Sequence, residues 1–195
     1  MTQQRKTDTK QDIKRALTTL LQEKSFDAIT VSDITRYAQI NRGTFYLHYL
    51  DKFDLLEQLM ADIYADIGQL LLINQSKEAY YAPLLQVFHI IKQDFDFIYA
   101  LTMRRPDEVD KSMRQFLMKL IEQADELRTV LEHHPVLPAD YATEFFLSSS
   151  IGVILHWVKK GAKESPEQLA KMLIEAQLLA NVGQRSDMDE TPKKP

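Results

Sequence analysis

Apolar residues recur at helical spacing along almost the whole chain, and only five glycines in 195 residues interrupt them. Ile13, Ala16, Leu17, Leu20 and Leu21 follow the i, i+3, i+4, i+7, i+8 pattern, which places them on one stripe of a helix. No comparable strand-like alternation is sustained. The expected fold class is all-α, with a small N-terminal helical head joined by a long helix to a larger helical body. The expected boundaries are 1–52 for the head, 53–182 for the body and 183–195 for a disordered tail without apolar residues to dock it.

Within the head, the segment from Thr30 to Tyr49 reads as two short helices broken by a tight turn. Val31, Ile34 and Ala38 line one face of the first, while Ile40, Phe45 and Tyr49 hold the turn and second helix against the same core. Thr30 with Asp33 three positions later is an acidic variant of the capping box, and Asn41 is a natural N-cap for the second helix. Arg42, Thr44, Tyr46 and His48 are left pointing outward. This is the pattern of a helix-turn-helix, whose second helix enters the major groove of double-stranded DNA with base-reading side chains near its start.

Charge supports segregation rather than a general affinity for polyanions. The net charge is −4, yet residues 1–50 carry +3 and the remainder −7. Cysteine is absent, which excludes disulfides, thiolate catalysis and Cys-type zinc sites. No apolar run approaches the roughly 18 residues of a membrane span, and the first residues lack the apolar stretch of a signal peptide. A cytoplasmic protein with no membrane partner is expected.

Asp51-Lys52-Phe53-Asp54 opens a long helix through Leu55, Leu59, Ile63 and Ile67, which can carry movement from body to head. After a polar break at 74–77, a helix containing Pro83 near its start runs through Phe88 and Ile91. A short helix follows, ending before Pro106. Val109 to Leu131 reads as one long amphipathic helix finishing near His133-His134-Pro135. A helix from Pro138 to Lys160 is closed by Gly161, and Ser165-Pro166-Glu167-Gln168 opens the last one with a capping serine, a proline and a capping-box glutamine.

With these residues in view, the chain resembles the TetR family of transcriptional regulators. The likeness is carried by Thr30 to Leu56, with its centre in Gly43-Thr44-Phe45-Tyr46-Leu47-His48-Tyr49 followed by Lys52 and Leu55-Leu56. The end of the body, from His133-His134-Pro135 through Phe145-Phe146 and Trp157 to Ser165-Pro166-Glu167, resembles the regulatory domain of the DhaS-like subgroup. The resemblance implies a homodimeric, ligand-responsive repressor that binds a pseudo-palindromic operator, with a helix-turn-helix head and a ligand-binding and dimerisation body. It implies no enzyme activity and no cofactor. One position departs from the family: Gln39 occupies the turn site where glycine usually meets a left-handed backbone.

Arg42 is the expected base contact, since its fork matches the O6 and N7 acceptors of guanine. Thr44 suits a thymine methyl or a phosphate, and His48 either purpose. Thr30 and Ser32 are expected to combine capping with phosphate contact, and Gly43 to let the backbone approach DNA. By resemblance, Tyr46 and Lys52 look like phosphate clamps. In the body, Phe88, His89, Tyr99, Met103, Phe116, Leu120 and Trp157 are candidate walls of a pocket for a small-molecule effector, with ordinary core as the plainer reading. His89 and His156 are its polar candidates. Phe145, Ser149, Gly152, Leu169, Met172, Leu173 and Ala176 suggest a four-helix dimer seam.

Two rival functions remain open to the residues alone. A helical protein-interaction module without DNA binding is one, which Gln39 makes conceivable. A metal-dependent helical-bundle enzyme is the other, but His133-His134, Asp94 and Asp96 form its only tempting cluster, and no His-Glu-x-x-His or paired Glu-x-x-His motif is present.

Overall fold

In the computed structural model, residues 2–73 and 81–175 are described, and all the regular structure among them is helical. The expected polar break at 74–77, Ala176 and the tail beyond 183 lie outside the described residues. The order is α1 (Thr2–Glu23), a 3-10 turn (Phe26–Ala28), α2 (Val31–Tyr37), α3 (Arg42–Tyr46), α4 (Lys52–Ile73), α5 (Tyr81–Gln93), α6 (Phe95–Arg104), α7 (Pro106–Gln123), α8 (Asp125–Glu132), α9 (Ala139–Lys159) and α10 (166–175).

The α1 stripe is buried throughout: Ile13, Leu17 and Leu21 have no exposed surface. With Phe26, Ile29, Ile34, Phe45, Tyr49 and Leu55 it makes the core of the head. Each short helix here is fixed at its start by side chains. Thr30 Oγ1 accepts the Asp33 amide at 3.1 Å while Asp33 Oδ2 accepts the Thr30 amide at 3.0 Å, completing the box. Asn41 Oδ1 accepts the Thr44 amide at 2.7 Å, and Asp51 Oδ1 accepts the amides of Phe53 and Asp54 at 2.7 and 2.9 Å. Helices as short as α2 and α3 are marginal alone, so these caps and the shared core decide that they form.

The turn between α2 and α3 is made by Gln39 at φ +55°. The Ile40 amide reaches back to the Thr35 carbonyl and the Gln39 amide to Arg36, the bonding of a Schellman ending. The geometry that glycine usually supplies is therefore kept by a glutamine. At the end of α9 the same pair of bonds recurs, from Ala162 to Trp157 and from Gly161 to Val158, with Gly161 at φ +84°.

In the body, α4 lies against α5 and α7, while α9 packs on α6, α7 and α8. Phe88 meets Trp157 edge-on at 5.5 Å in its core, and Trp157 Nε1 donates to the Glu164 carbonyl. Ser165 and Gln168 exchange capping bonds of 3.2 and 2.8 Å at the start of α10, as expected. The helix expected from Val109 to Leu131 is instead two. Ala124 adopts extended backbone (φ −100°, ψ 91°), and Arg128 reaches across the break to the Glu122 carbonyl while pairing with Asp125 at the start of its own helix. The apolar period runs through the break, so it left no mark on the pattern.

The head is joined to the body by more than α4. α1 packs along α6, where Lys14 pairs with Asp94 at 2.5 Å and lies over the Phe97 ring. Arg104, at the end of α6, donates to the carbonyls of Leu21 and Gln22 at 2.8 Å each, satisfying the last turn of α1.

Candidate nucleic-acid interface and effector groove

Phe45 is fully buried and Tyr49 nearly so, which orients α3 and leaves Arg42, Gly43, Tyr46 and Leu47 on the surface. Arg42 Nη2 donates to the Tyr46 hydroxyl at 3.3 Å, one turn away, with the guanidinium over the ring. The Thr44 hydroxyl donates to Asn41 Oδ1 at 3.1 Å. A Cβ on Gly43 would sit 3.1 Å from that same Asn41 oxygen, so the missing side chain protects the cap of α3 as well as leaving backbone open. Thr30 and Asp33 are bound to each other, and Lys24 joins them at 2.8 Å from Asp33. The Lys24 ammonium first, then the Thr30 hydroxyl and amide, hold the Asp33 carboxyl far below the usual carboxylate range. Ser32 is exposed and His48 half-buried.

Lys52 is placed differently from the phosphate clamp expected of it. Its ammonium donates to the carbonyls of Phe26, Asp27 and Ile29 at 2.9, 2.9 and 2.8 Å, using all three protons to close the 3-10 turn. It also lies 5.0 Å from the centre of the Phe26 ring, whose surroundings include the Arg105 guanidinium at 4.9 Å. Arg105 in turn pairs with Asp27 at 3.4 Å and with Glu108. Sequence reasoning missed this junction, because its acceptors are backbone carbonyls and its arginines lie 78 or more residues from their head partners.

The candidate pocket residues are not brought together. Phe88 and Trp157 are core, His89 lies on the surface paired with Glu167 at 3.1 Å, and His156 is exposed. Tyr99 stacks on Phe95, and Met103 is exposed. Only Phe116 and Leu120 line the groove of about 830 Å³ that runs between α4 and α7. Its other apolar walls include Phe53, Leu56, Met60 and Leu101, and Tyr64 stacks on Phe116 at 4.8 Å. Burial pushes the Tyr64 phenol up to about 12, and Ser112 shares a 2.7 Å hydrogen bond with it, so the hydroxyl stays protonated. The helical period marks such residues as core and cannot tell a wall from a filling.

Among the described residues, no group of three or more histidine, aspartate or glutamate side chains is arranged to hold a metal. Asp94 is spent on Lys14, His133 Nδ1 lies 3.0 Å from the Thr129 carbonyl, and His134 Nδ1 accepts two backbone amides. Among the described residues, no helix is long and apolar enough to cross a membrane. On the outer face of α9, Tyr141 and Phe145 are about two-thirds exposed and Ser149 and Gly152 are open, and Met172 is exposed on α10. Leu173 is partly covered, whereas Leu169, expected in a seam between copies, is buried within the protein's own core.

A capped helix-turn-helix anchored to a helical body defines a DNA-binding regulator. Residues 13–59 match the family described as bacterial regulatory proteins of the tetR family, and residues 78–177 match a transcriptional regulator C-terminal region. The chain belongs to the TetR family of transcriptional regulators, whose members are transcription factors rather than enzymes. It is 22% identical over 173 residues to the HTH-type transcriptional regulator YxbF of Bacillus subtilis (strain 168), covering 84% of this chain and 43% of that one. It is 28% identical over 86 residues to the biofilm operon icaADBC negative transcriptional regulator IcaR of Staphylococcus aureus (strain Newman), 44% of each chain. The chain thus spans under half the length of these relatives. Its fold is similar to that of the dihydroxyacetone kinase operon activator DhaS, with a TM-score of 0.61 at 19% identity over 88% of this chain and 95% of the other.

Proposed function

We propose that this chain is a ligand-responsive repressor that binds a pseudo-palindromic operator as a homodimer. The observation that carries this reading is α3: Asn41 caps it, Phe45 anchors it, and Arg42, Thr44 and Tyr46 face outward with Gly43 between them. Inserted in the major groove, Arg42 reads a guanine edge, while Thr30, Ser32, Thr44, Tyr46 and His48 fix the head on the flanking backbone. Lys52 acts one step back, holding the 3-10 turn on which α2 and α4 are set. Repression follows the relative IcaR, named as a negative regulator.

Two heads must reach successive major grooves about 34 Å apart, which requires a second copy. The exposed face of Phe145, Ser149 and Gly152 on α9, with Met172 and Leu173 on α10, supplies the seam, and Ala176 follows them in sequence. The α4–α7 groove takes the effector, which makes Phe116 and Leu120 contact residues in company with Tyr64. Phe53 and Glu108 lie on its lining and are neighbours of the Lys52, Phe26 and Arg105 junction. An occupant that displaces either changes how the head is held, and coupling of about 1 to 3 kcal/mol shifts operator affinity by roughly 5- to 150-fold.

The test is selection from random synthetic duplexes, followed by binding across a salt series and sedimentation of the free protein. One preferred palindromic sequence, affinity falling steeply with salt and a dimer are expected. A monomer that prefers no duplex even in dilute buffer sinks the reading.

A further inference from the structure

Leu47 has 82% of its surface exposed, directly after α3, on the face proposed to read DNA. It follows α3 in helical conformation (φ −72°, ψ −19°), and its amide donates to the Gly43 carbonyl at 3.1 Å. Helical geometry therefore carries through to it. Two residues correspond to a rotation of roughly 200°, so Leu47 stands opposite the buried Phe45, on the line along which α3 points away from the head core. Gly43 lies one turn before it and offers no side chain to hold DNA off.

The polar groups of α3 sit to either side of that line. Arg42 and Tyr46 are bonded to each other on one flank, and Thr44 is bonded to Asn41 on the other. What stands on the outward line between them is a branched hydrocarbon with no donor or acceptor. In the major groove the one apolar group by which a standard base pair can be told apart is the C5-methyl of thymine.

We infer that Leu47 is a specificity-determining residue, packing on a thymine methyl at a fixed position in each half-site. This rests on the proposed insertion of α3 into the major groove, and it adds a base reading that no hydrogen bond supplies. Leu47 is not among the side chains that build the head core and has no cap to make with its side chain, so its identity is free to serve the DNA.

The experiment replaces each thymine of the selected, unmethylated synthetic operator by deoxyuridine, which removes the methyl and leaves base pairing intact. For the unaltered protein, one position per half-site is expected to weaken binding ~4-fold singly and ~15-fold when both are changed, the worth of one buried carbon each. Leu47→Ala is expected to bind the full operator correspondingly less well and to be indifferent to deoxyuridine at that position. Leu50→Ala, altering an equally exposed leucine outside α3, keeps the full pattern. An unaltered deoxyuridine profile in Leu47→Ala, no sensitive thymine at all, or loss of the pattern in Leu50→Ala overturns the assignment. Failure to select any duplex is a separate result, which refutes the operator-binding proposal itself.

Discussion

Head and body are built from the same kind of helix, yet they are finished differently. In the head, α2, α3 and α4 each begin on a side-chain cap, and the core side chains they enclose, Phe26, Ile34, Phe45 and Leu55, are 1% exposed or less. In the body, α6, α7, α8 and α9 have no side-chain hydrogen bond at their starts, and a groove opens along α4 and α7. A surface that must match one invariant partner, the double helix, is fixed by local bonds. A surface that must admit and release a guest is held mainly by packing, with the Tyr64–Ser112 bond joining its two walls, which leaves room for alternative arrangements.

The sharpest way to break this comparison is at the junction. Phe26 is 1% exposed and faces both Lys52 and Arg105, so Phe26→Ala is expected to cost about 3 to 5 kcal/mol, concentrated in the head. Trp157 is the single tryptophan and lies in the body core, so its fluorescence reports the body alone while operator binding reports the head. Loss of operator binding at urea concentrations that leave the Trp157 signal native is the expected result. Simultaneous loss of both would mean that the two parts unfold as one unit.

A gentler pair of substitutions compares the two Schellman endings. Gln39→Gly relieves a left-handed glutamine and is expected to add up to about 1 kcal/mol, while Gly161→Ala forces a Cβ into the same conformation and removes about as much. Thermal denaturation of both variants checks the opposite signs. Equal signs would show that the two turns are not equivalent.

The smallest effect concerns acid. Because Lys24 and Thr30 depress the Asp33 carboxyl below its ordinary 3.8, its contribution is present above that value and fades as pH falls beneath it. Denaturation of the protein and of Asp33→Asn across pH should give a gap that is full near neutrality and narrows below 3.8. A gap that widens on acidification contradicts the capping role.

What could be read in advance follows the same division. Thr30 with Asp33, Asn41, Gly161 and Ser165 with Gln168 were legible because each acts within a few residues of itself, where spacing encodes geometry. The split at Ala124 was hidden, since apolar periodicity continues across it and the bonds that fix it come from Arg128. The groove was hidden for another reason: Phe88 and Phe116 carry the same pattern, and only the packing of distant helices decides that one fills the core and the other lines a gap. Lys52 misled because an ammonium at a helix start suits a phosphate and a trio of carbonyls equally well.

Arg104 and Lys52 both grip main-chain oxygens, and every residue carries one of those whatever its side chain. At those oxygens the union between the two parts is blind to side-chain identity, and its specific requirements are the Lys14–Asp94 and Arg105–Asp27 pairs and the Phe26 ring. Lineages can revise the reading surface without renegotiating the attachment, and a chimaera bearing a foreign tip has to preserve the chain path, those two ion pairs and that one aromatic to be mounted correctly.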